Sequence, residues 1–395
     1  MDSLDAELNR RLREIQNEGL FRELHRVDSP QGPRIQIGGQ TLLNFSSNDY
    51  LGLANHPLLK EATIKAVEQF GAGSGASRLI CGSLAPHHEL EETLAQFKGA
   101  EATLSFSSGY ATAVGTICAL LEKGDIIILD KLVHACIVDA ARLSGATLRV
   151  FTHNNLEDLE DKLKWAANSR HSPLVTRHVL IVTESIFSMD GDAAPLQEIV
   201  ALKEKYSAWL MVDEAHATGL YGTNRRGLAE ELDIAAHVEV QMGTLGKALG
   251  AGGGYICGSR TLIDFLINRA RSFIFSTAPV PAVSAAATAG IRLVQSSEGE
   301  KRRKTLWGRV NEFKSQIANR KSQISSAIIP ILIGDEIQAV AAATALRRQG
   351  IFVPAIRYPT VARGKARLRV TLTVAHSSED ISRLTDALKA LDIGL

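Results

Sequence analysis

Val240-Gln241-Met242-Gly243-Thr244-Leu245-Gly246-Lys247-Ala248-Leu249-Gly250 and, upstream, Trp209-Leu210-Met211-Val212-Asp213-Glu214-Ala215-His216 decide how this chain is read. Each begins as a short apolar run and opens into small or polar residues. That is the pattern of a strand buried in a parallel sheet as it gives way to a loop. An amine, Lys247, follows one run, and a carboxylate, Asp213, stands at the tip of the other. Together they can hold an aldehyde cofactor that carries a basic ring nitrogen, which describes pyridoxal phosphate (PLP). The lysine forms the Schiff base and the acid keeps the pyridine nitrogen protonated, making the ring an electron sink.

Around these two segments the same alternation continues. Apolar runs at Ala102–Phe106, Ile126–Leu129, Leu148–Phe151, His178–Thr183 and Tyr255–Cys257 join Trp209–Asp213 and Val238–Met242 to make seven candidate strands. Amphipathic stretches such as Leu156–Ala167 and Pro195–Tyr206 lie between them. Strands alternating with helices predict an α/β domain with one large, mostly parallel sheet. Past Ala278-Pro279-Val280-Pro281 the pattern changes. A long helical region (Ala282–Ala318), a strand at Ile328–Ile333, a helix at Glu336–Gln349, a strand at Leu368–Thr373 and a helix at Glu379–Leu391 read as a smaller α+β C-terminal domain. The expected division is residues 1–45 as an N-terminal helix and hairpin segment, 46–285 as the large domain and 286–395 as the small one.

Composition narrows the function classes. With 44 Lys plus Arg against 43 Asp plus Glu, the net charge of +1 gives no electrostatic reason to expect nucleic acid or an anionic membrane. The basic run Lys301-Arg302-Arg303-Lys304 reads as a solvated helix face. Four scattered cysteines, Cys81, Cys118, Cys136 and Cys257, suit buried thiols better than a metal cluster or a disulfide framework. Without an apolar N-terminal segment or a span-length apolar run, the expectation is a cytoplasmic protein.

Other readings of the motifs are weaker. Asp213-Glu214-Ala215-His216 also occurs in nucleotide-driven helicases, but those need an upstream phosphate loop, and here Gly246-Lys247 is downstream and followed by alanine. Gly71-Ala72-Gly73-Ser74-Gly75 follows a helical stretch, and Gly250–Gly254 precedes a strand, so neither opens a dinucleotide fold. Both suit places where backbones approach closely.

Several residues can complete a PLP site. Phe106-Ser107-Ser108-Gly109-Tyr110 is a strand–loop–helix junction whose free N–H groups suit a phosphate, although, taken alone, an ordinary cap by Ser107 or Ser108 is the better explanation. Thr244, and more weakly Ser276-Thr277, offer hydroxyls. His216 must lie in the turn beyond the strand, because a residue three after Asp213 on one strand would face the other way. His134 opens a helix after a strand and can stack on a planar ring. Ser188 follows another strand. Arg367 and Arg369 alternate, so both face one side, and a guanidinium suits bidentate carboxylate binding.

These segments together resemble the α-oxoamine synthases, from Phe45-Ser46-Ser47-Asn48-Asp49-Tyr50-Leu51-Gly52-Leu53 to Leu372-Thr373-Val374-Ala375-His376. The resemblance implies the aspartate-aminotransferase-like PLP fold (fold type I) and a homodimer with active sites at the subunit interface. Ala355-Ile356-Arg357-Tyr358-Pro359-Thr360-Val361, Arg367–Thr373 and Gly75-Ala76-Ser77-Arg78-Leu79 are most similar to the branch that serves biotin synthesis. That branch condenses L-alanine with pimeloyl-CoA or a pimeloyl acyl carrier protein. Ala76 stands where a glycine is common, and Ala362 where a proline often follows Thr-Val.

By resemblance, Lys247 binds the cofactor, Asp213 pairs with the ring nitrogen, His216 contacts the phenolic oxygen and His134 stacks over the ring. Gly109, Tyr110, Ser188 and Thr244 match other cofactor positions, and Ser276 and Thr277 would reach the phosphate held by the other subunit. Arg22, Asn48, His134, Thr360 and Arg369 match substrate positions, with Arg369 as carboxylate anchor. Glycine acyltransfer from acetyl-CoA or succinyl-CoA keeps the same chemistry and is the alternative. A silent partner subunit would have lost Lys247 or Asp213.

Overall fold

A computed structural model describes residues 3–169, 178–317 and 326–391. The elements run α1 (Leu4–Asn17), β1 (Arg34–Ile37), β2 (Gln40–Asn44), α2 (Pro57–Phe70), α3 (Ala85–Lys98), β3 (Ala102–Phe106) and α4 (Gly109–Leu120). Then come β4 (Ile126–Asp130), α5 (Ala135–Ser144), β5 (Thr147–Phe151), α6 (Leu156–Ser169), β6 (Val179–Glu184), α7 (Leu196–Lys205) and β7 (Trp209–Asp213). They continue with α8 (Leu228–Glu231), β8 (Val240–Thr244), β9 (Gly254–Gly258), α9 (Arg260–Arg269), α10 (Arg271–Ile274), α11 (Pro281–Gln295) and α12 (Ser297–Gln316). The chain closes with β10 (Ile328–Gly334), α13 (Glu336–Arg348), β11 (Ile351–Phe352), β12 (Ala355–Ile356), β13 (Ala366–Thr371) and α14 (Ser378–Lys389).

Two compact units result: Leu51–Ser188 with Asp192–Lys304, and Met1–Tyr50 with Met189–Gly191 and Thr305–Leu395. In the larger unit a seven-stranded sheet has the order β3-β9-β8-β7-β6-β4-β5. All neighbours are parallel except those of β9, which runs antiparallel to both β3 and β8. The central strands β4 and β6 are buried at every position, which is why they read as continuous apolar runs rather than alternating ones. Each fully buried Ile, Leu or Val there contributes roughly 1.5–3 kcal/mol.

The order of the strands fixes where a ligand belongs. From β4 the chain steps outward to β5, then returns to β6 on the other flank and proceeds through β7 to β8. The direction of winding therefore reverses between β4 and β6. In such sheets the crevice outside the carboxyl ends of the strands at this reversal is the binding site. His134 follows β4, Glu184 ends β6 and Asp213 ends β7.

In the smaller unit β1, β2 and β11 form one sheet and β10, β13 and β12 another. Residues 1–50 lie in this unit because β2 pairs in parallel with β11, Leu43 opposite Ile351. The long helical region expected over Ala282–Ala318 is two helices, α11 and α12, with Ser296 extended between them; Ala318 itself lies outside the described residues. Gly299 permits the tight junction, because a Cβ there would lie 2.2 Å from the Val294 carbonyl oxygen. The basic run on α12 is also not simply solvated: Arg302 donates to the Leu51 carbonyl and Arg303 to that of Gly222. Of the cysteines, Cys136 and Cys257 are buried, Cys118 is half-buried and Cys81 is exposed, so the expectation of buried thiols fails at Cys81. Among the described residues no helix is long and apolar enough to cross a membrane.

Candidate active site

The larger unit gathers the expected cofactor residues at the carboxyl edge of its sheet. Asp213 ends β7 and is 5% exposed; its Oδ1 accepts a hydrogen bond from the Ala215 N–H at 2.9 Å. Burial raises its pKa, opposed first by the Lys247 ammonium and then by that N–H. Lys247 lies in the loop after β8, the strand that pairs with β7 through Asp213 and Met242. His216 is buried in the turn that follows Asp213, as the three-residue spacing requires.

That turn is pinned from below. The Lys98 Nζ donates to Glu214 at 2.6 Å, and the other Glu214 oxygen accepts from the Ala229 N–H at 2.9 Å. Both charges are buried. Burial is the largest single influence and works to lower the Lys98 pKa, but Glu214, with Tyr255 and Cys257, raises it and the net shift is upward.

His134 caps α5, its Nδ1 accepting from the Cys136 N–H at 3.3 Å. Its residue surface is exposed, yet enough protein surrounds the ring that desolvation lowers its pKa, against the attraction of Asp213. Ser188 is buried, and its N–H donates to Glu184 at 3.2 Å.

The expected phosphate cradle lies where β3 meets α4. Ser108 caps the helix, accepting from the Ala111 N–H at 3.1 Å. A Cβ on Gly109 would lie 2.8 Å from Thr244 Cγ2, and one on Gly254 would lie 2.9 Å from Gly109 Cα, so these backbones meet as closely as glycine permits. Thr244 Oγ1 is buried there without a hydrogen-bond partner. A buried hydroxyl left unmatched beside a helix N-terminus is the chemistry a phosphate satisfies. The residues therefore fit PLP. Tyr110 is exposed, and its hydroxyl donates to Asp139 at 2.9 Å. Thr277 bridges to Ser77, and Ala278 N–H bonds the Ala76 carbonyl, so the Ser276–Thr277 segment is tied to the glycine-rich one.

Of the expected substrate residues, all but His134 fall in the smaller unit. Arg369 on β13 is 7% exposed, and both its terminal nitrogens donate to Asn48 Oδ1 at 3.1 Å, with a further bond to Thr371. A planar guanidinium is suited to bidentate carboxylate binding. Arg367 faces the same way but is spoken for by Asp190, at 2.5 Å. Arg22 donates to the Tyr358 carbonyl at 3.0 Å, while Thr360 N–H bonds the Arg357 carbonyl at 3.0 Å. Arg22 and Thr360 are both exposed.

Volume does not mark the site. A cavity of about 620 Å³ lined by Arg78, Glu91, Arg260 and Phe273 contains none of Lys247, Asp213 or His134.

A family model described as aminotransferase class I and II matches residues 40–388. The chain belongs to this family. Within it, the chain is an α-oxoamine synthase by its relatives. It is 43% identical to an 8-amino-7-oxononanoate synthase of Thermoanaerobacter pseudethanolicus, over 98% of this chain and 95% of that one. It is 45% identical to that of Geobacter sulfurreducens, over 95% of both. Among solved structures it resembles a serine palmitoyltransferase from S. paucimobilis with a bound PLP–myriocin aldimine, with a TM-score of 0.91, 28% identity and coverage of 99% and 98%. It also resembles an 8-amino-7-oxononanoate synthase from Francisella tularensis, with a TM-score of 0.74, 27% identity and coverage of 89% and 96%. The higher TM-score goes with a different substrate from the higher identities. Backbone shape is common to many chemistries on one fold, so the sequence identities weigh more on substrate.

Sequence reading passed over Glu184 and Lys98. Glu184 had the same signal as Asp213, an acid closing an apolar run, whereas nothing local marked Lys98.

Proposed function

We propose that this chain is a PLP-dependent acyltransferase that condenses L-alanine with a pimeloyl thioester, releasing the thiol and carbon dioxide and forming 8-amino-7-oxononanoate. One observation carries the reaction class: Lys247 and the buried Asp213 sit at the carboxyl ends of adjacent parallel strands. The identities of 43–45% to 8-amino-7-oxononanoate synthases support the substrate pair.

In this reading Asp213 holds the ring nitrogen, His216 the phenolic oxygen and His134 the ring face. Ser188 adds a further cofactor contact. The N-terminus of α4 at Gly109 and Tyr110, with Thr244, holds the phosphate. When bound, PLP supplies an electron sink for the carbon from which a proton and later a carboxylate depart. Lys247 Nζ takes the proton from alanine Cα, a role suited to an amine in a desolvated, positively charged site. Arg369, steadied by Asn48, binds the alanine carboxylate. Arg22 and Thr360 are assigned to substrate. The new carbon–carbon bond forms at the thioester carbonyl, the thiol leaves, and decarboxylation follows. The same reading includes pimeloyl-CoA or a pimeloyl carrier protein as donor and a cytoplasmic location. It also includes a homodimer in which Ser276 and Thr277 reach the phosphate of the other subunit.

The test is release of free thiol by PLP-loaded protein from pimeloyl-CoA with L-alanine or glycine, and from palmitoyl-CoA with L-serine. Release confined to pimeloyl-CoA with alanine is expected. A preference for either other pair would overturn the substrate assignment.

A further inference from the structure

Two carboxyl groups, not one, end the central strands at the site. Glu184 and Asp213 are register partners on the parallel strands β6 and β7, and only 2% and 5% of their surfaces are exposed. In a parallel pair, residues in register project to the same face. Asp213 has its cation and its N–H donor. Glu184 holds something different: Oε2 accepts from the Ser188 N–H at 3.2 Å, and Oε1 is buried with no partner. Glu184 thus braces the segment after β6 that carries Ser188.

We propose that Glu184 is a positioning residue of this site, a protonated carboxyl that braces the Ser188 segment and leaves Asp213 as the sole anion of the pair. The inference rests on the PLP reading given above and assigns Glu184 no contact with substrate. Its physical basis is that two adjacent buried carboxylates cannot both ionise cheaply, so one keeps its proton. The groups facing the pair decide which. Lys247 opposes the upward shift of both, but Asp213 also has the Ala215 N–H and the His134 imidazole, while Cys136 and Glu214 bring no positive charge. Burial, followed by the repulsion of Asp213, pushes the Glu184 carboxyl up to about 8. A second anion there would compete with Asp213 for the charge on the ring nitrogen. A neutral acid does not.

Cofactor affinity and the visible absorption of bound PLP test this without any turnover. Glu184→Ala removes the brace on the Ser188 segment and is expected to raise the PLP dissociation constant at least about tenfold at pH 7. Glu184→Gln, which copies the neutral acid in shape and polarity, is expected to recover most of that loss. The visible absorption of the parent should also show a step with rising pH that is missing in Glu184→Gln. Parent-like affinity in Glu184→Ala would overturn the positioning role. A loss in Glu184→Gln as large as that expected for Glu184→Ala, or pH profiles identical to the parent's, would overturn the protonated state; both can be read even if Glu184→Ala does not fold. If the parent itself gained no visible absorption with PLP, the functional reading would fail instead, so the two failures are distinct.

Discussion

Replacing Lys98 with Met is expected to destabilise the larger unit although Lys98 lies well back from the chemistry. Its Nζ is 2.6 Å from Glu214 and also bonds the Arg226 carbonyl, in surroundings where Lys98 is 3% and Glu214 1% exposed. Methionine fills similar volume but leaves the Glu214 carboxylate buried without its counter-ion. Breaking a buried pair in this way costs about 3–5 kcal/mol, mostly as the penalty on the stranded charge. For a cooperative unit of roughly 250 residues with an unfolding entropy of about 2.1 cal/mol/K per residue, that is a fall in Tm of about 6–9 °C. Glu214→Gln should cost a similar amount, because it strands the ammonium instead. The double variant should cost less than the two singles together by about 2 kcal/mol or more, since neither charge remains. Urea and thermal unfolding followed by circular dichroism, at one fixed saturating PLP concentration, give all four corners of the cycle. Because the Lys98 pKa is raised, its contribution is fully present below the unfolded value and is lost only as pH climbs through the higher folded one. The cycle should therefore look the same at pH 6 and pH 8. Additive costs, or a Lys98→Met cost below about 1 kcal/mol, would refute the idea that this pair anchors the Asp213–His216 turn.

Three further outcomes follow from the geometry. Lys247→Ala should abolish both turnover and the visible absorption that the parent gains with PLP, checked by spectrophotometry and thiol release. Arg369→Lys should raise the KM for alanine by roughly 10–100-fold, because a point charge cannot replace a bidentate fork worth about 1.5–3 kcal/mol; steady-state kinetics with varied alanine reads it. His153 donates to Asp130 at 2.9 Å and Asp192 at 2.7 Å, and although burial works against it these carboxylates push its pKa up to about 10. The stability this gives is fully present below about pH 6.5 and lost as pH rises through the folded value, so the Tm gap between parent and His153→Gln should shrink from pH 6 to pH 10.

The sheet was legible because its strands are buried on both faces and punctuated by polar residues. All seven apolar runs named in the sequence are the seven strands of one sheet, each within two residues of its observed ends. Lys247 and Asp213 were legible for the same reason, since a charged group has no business at the end of such a run unless something meets it. The helix boundary at Ser296 was not legible, because the close approach of Gly299 to the Val294 carbonyl that accompanies it exists only in the folded chain. Strand order was also out of reach, and with it the placement of the winding reversal between β4 and β6.

The two acids stand on one side of that reversal, at the ends of β6 and β7. Read along the chain, Glu184 and Asp213 are equivalent, each closing a strand and each followed by small or polar residues. Only the register shows that they stand side by side, and only the surrounding atoms distinguish them: Lys247 acts on both, but the His134 imidazole favours charge on Asp213, while Glu184 is left with an unmatched oxygen. A single acid between strands would need no such distinction. With two, the position of one proton decides whether the site presents one negative charge or two to a cationic ring. An acceptor for a ring nitrogen is thus specified by its neighbours as much as by its own identity.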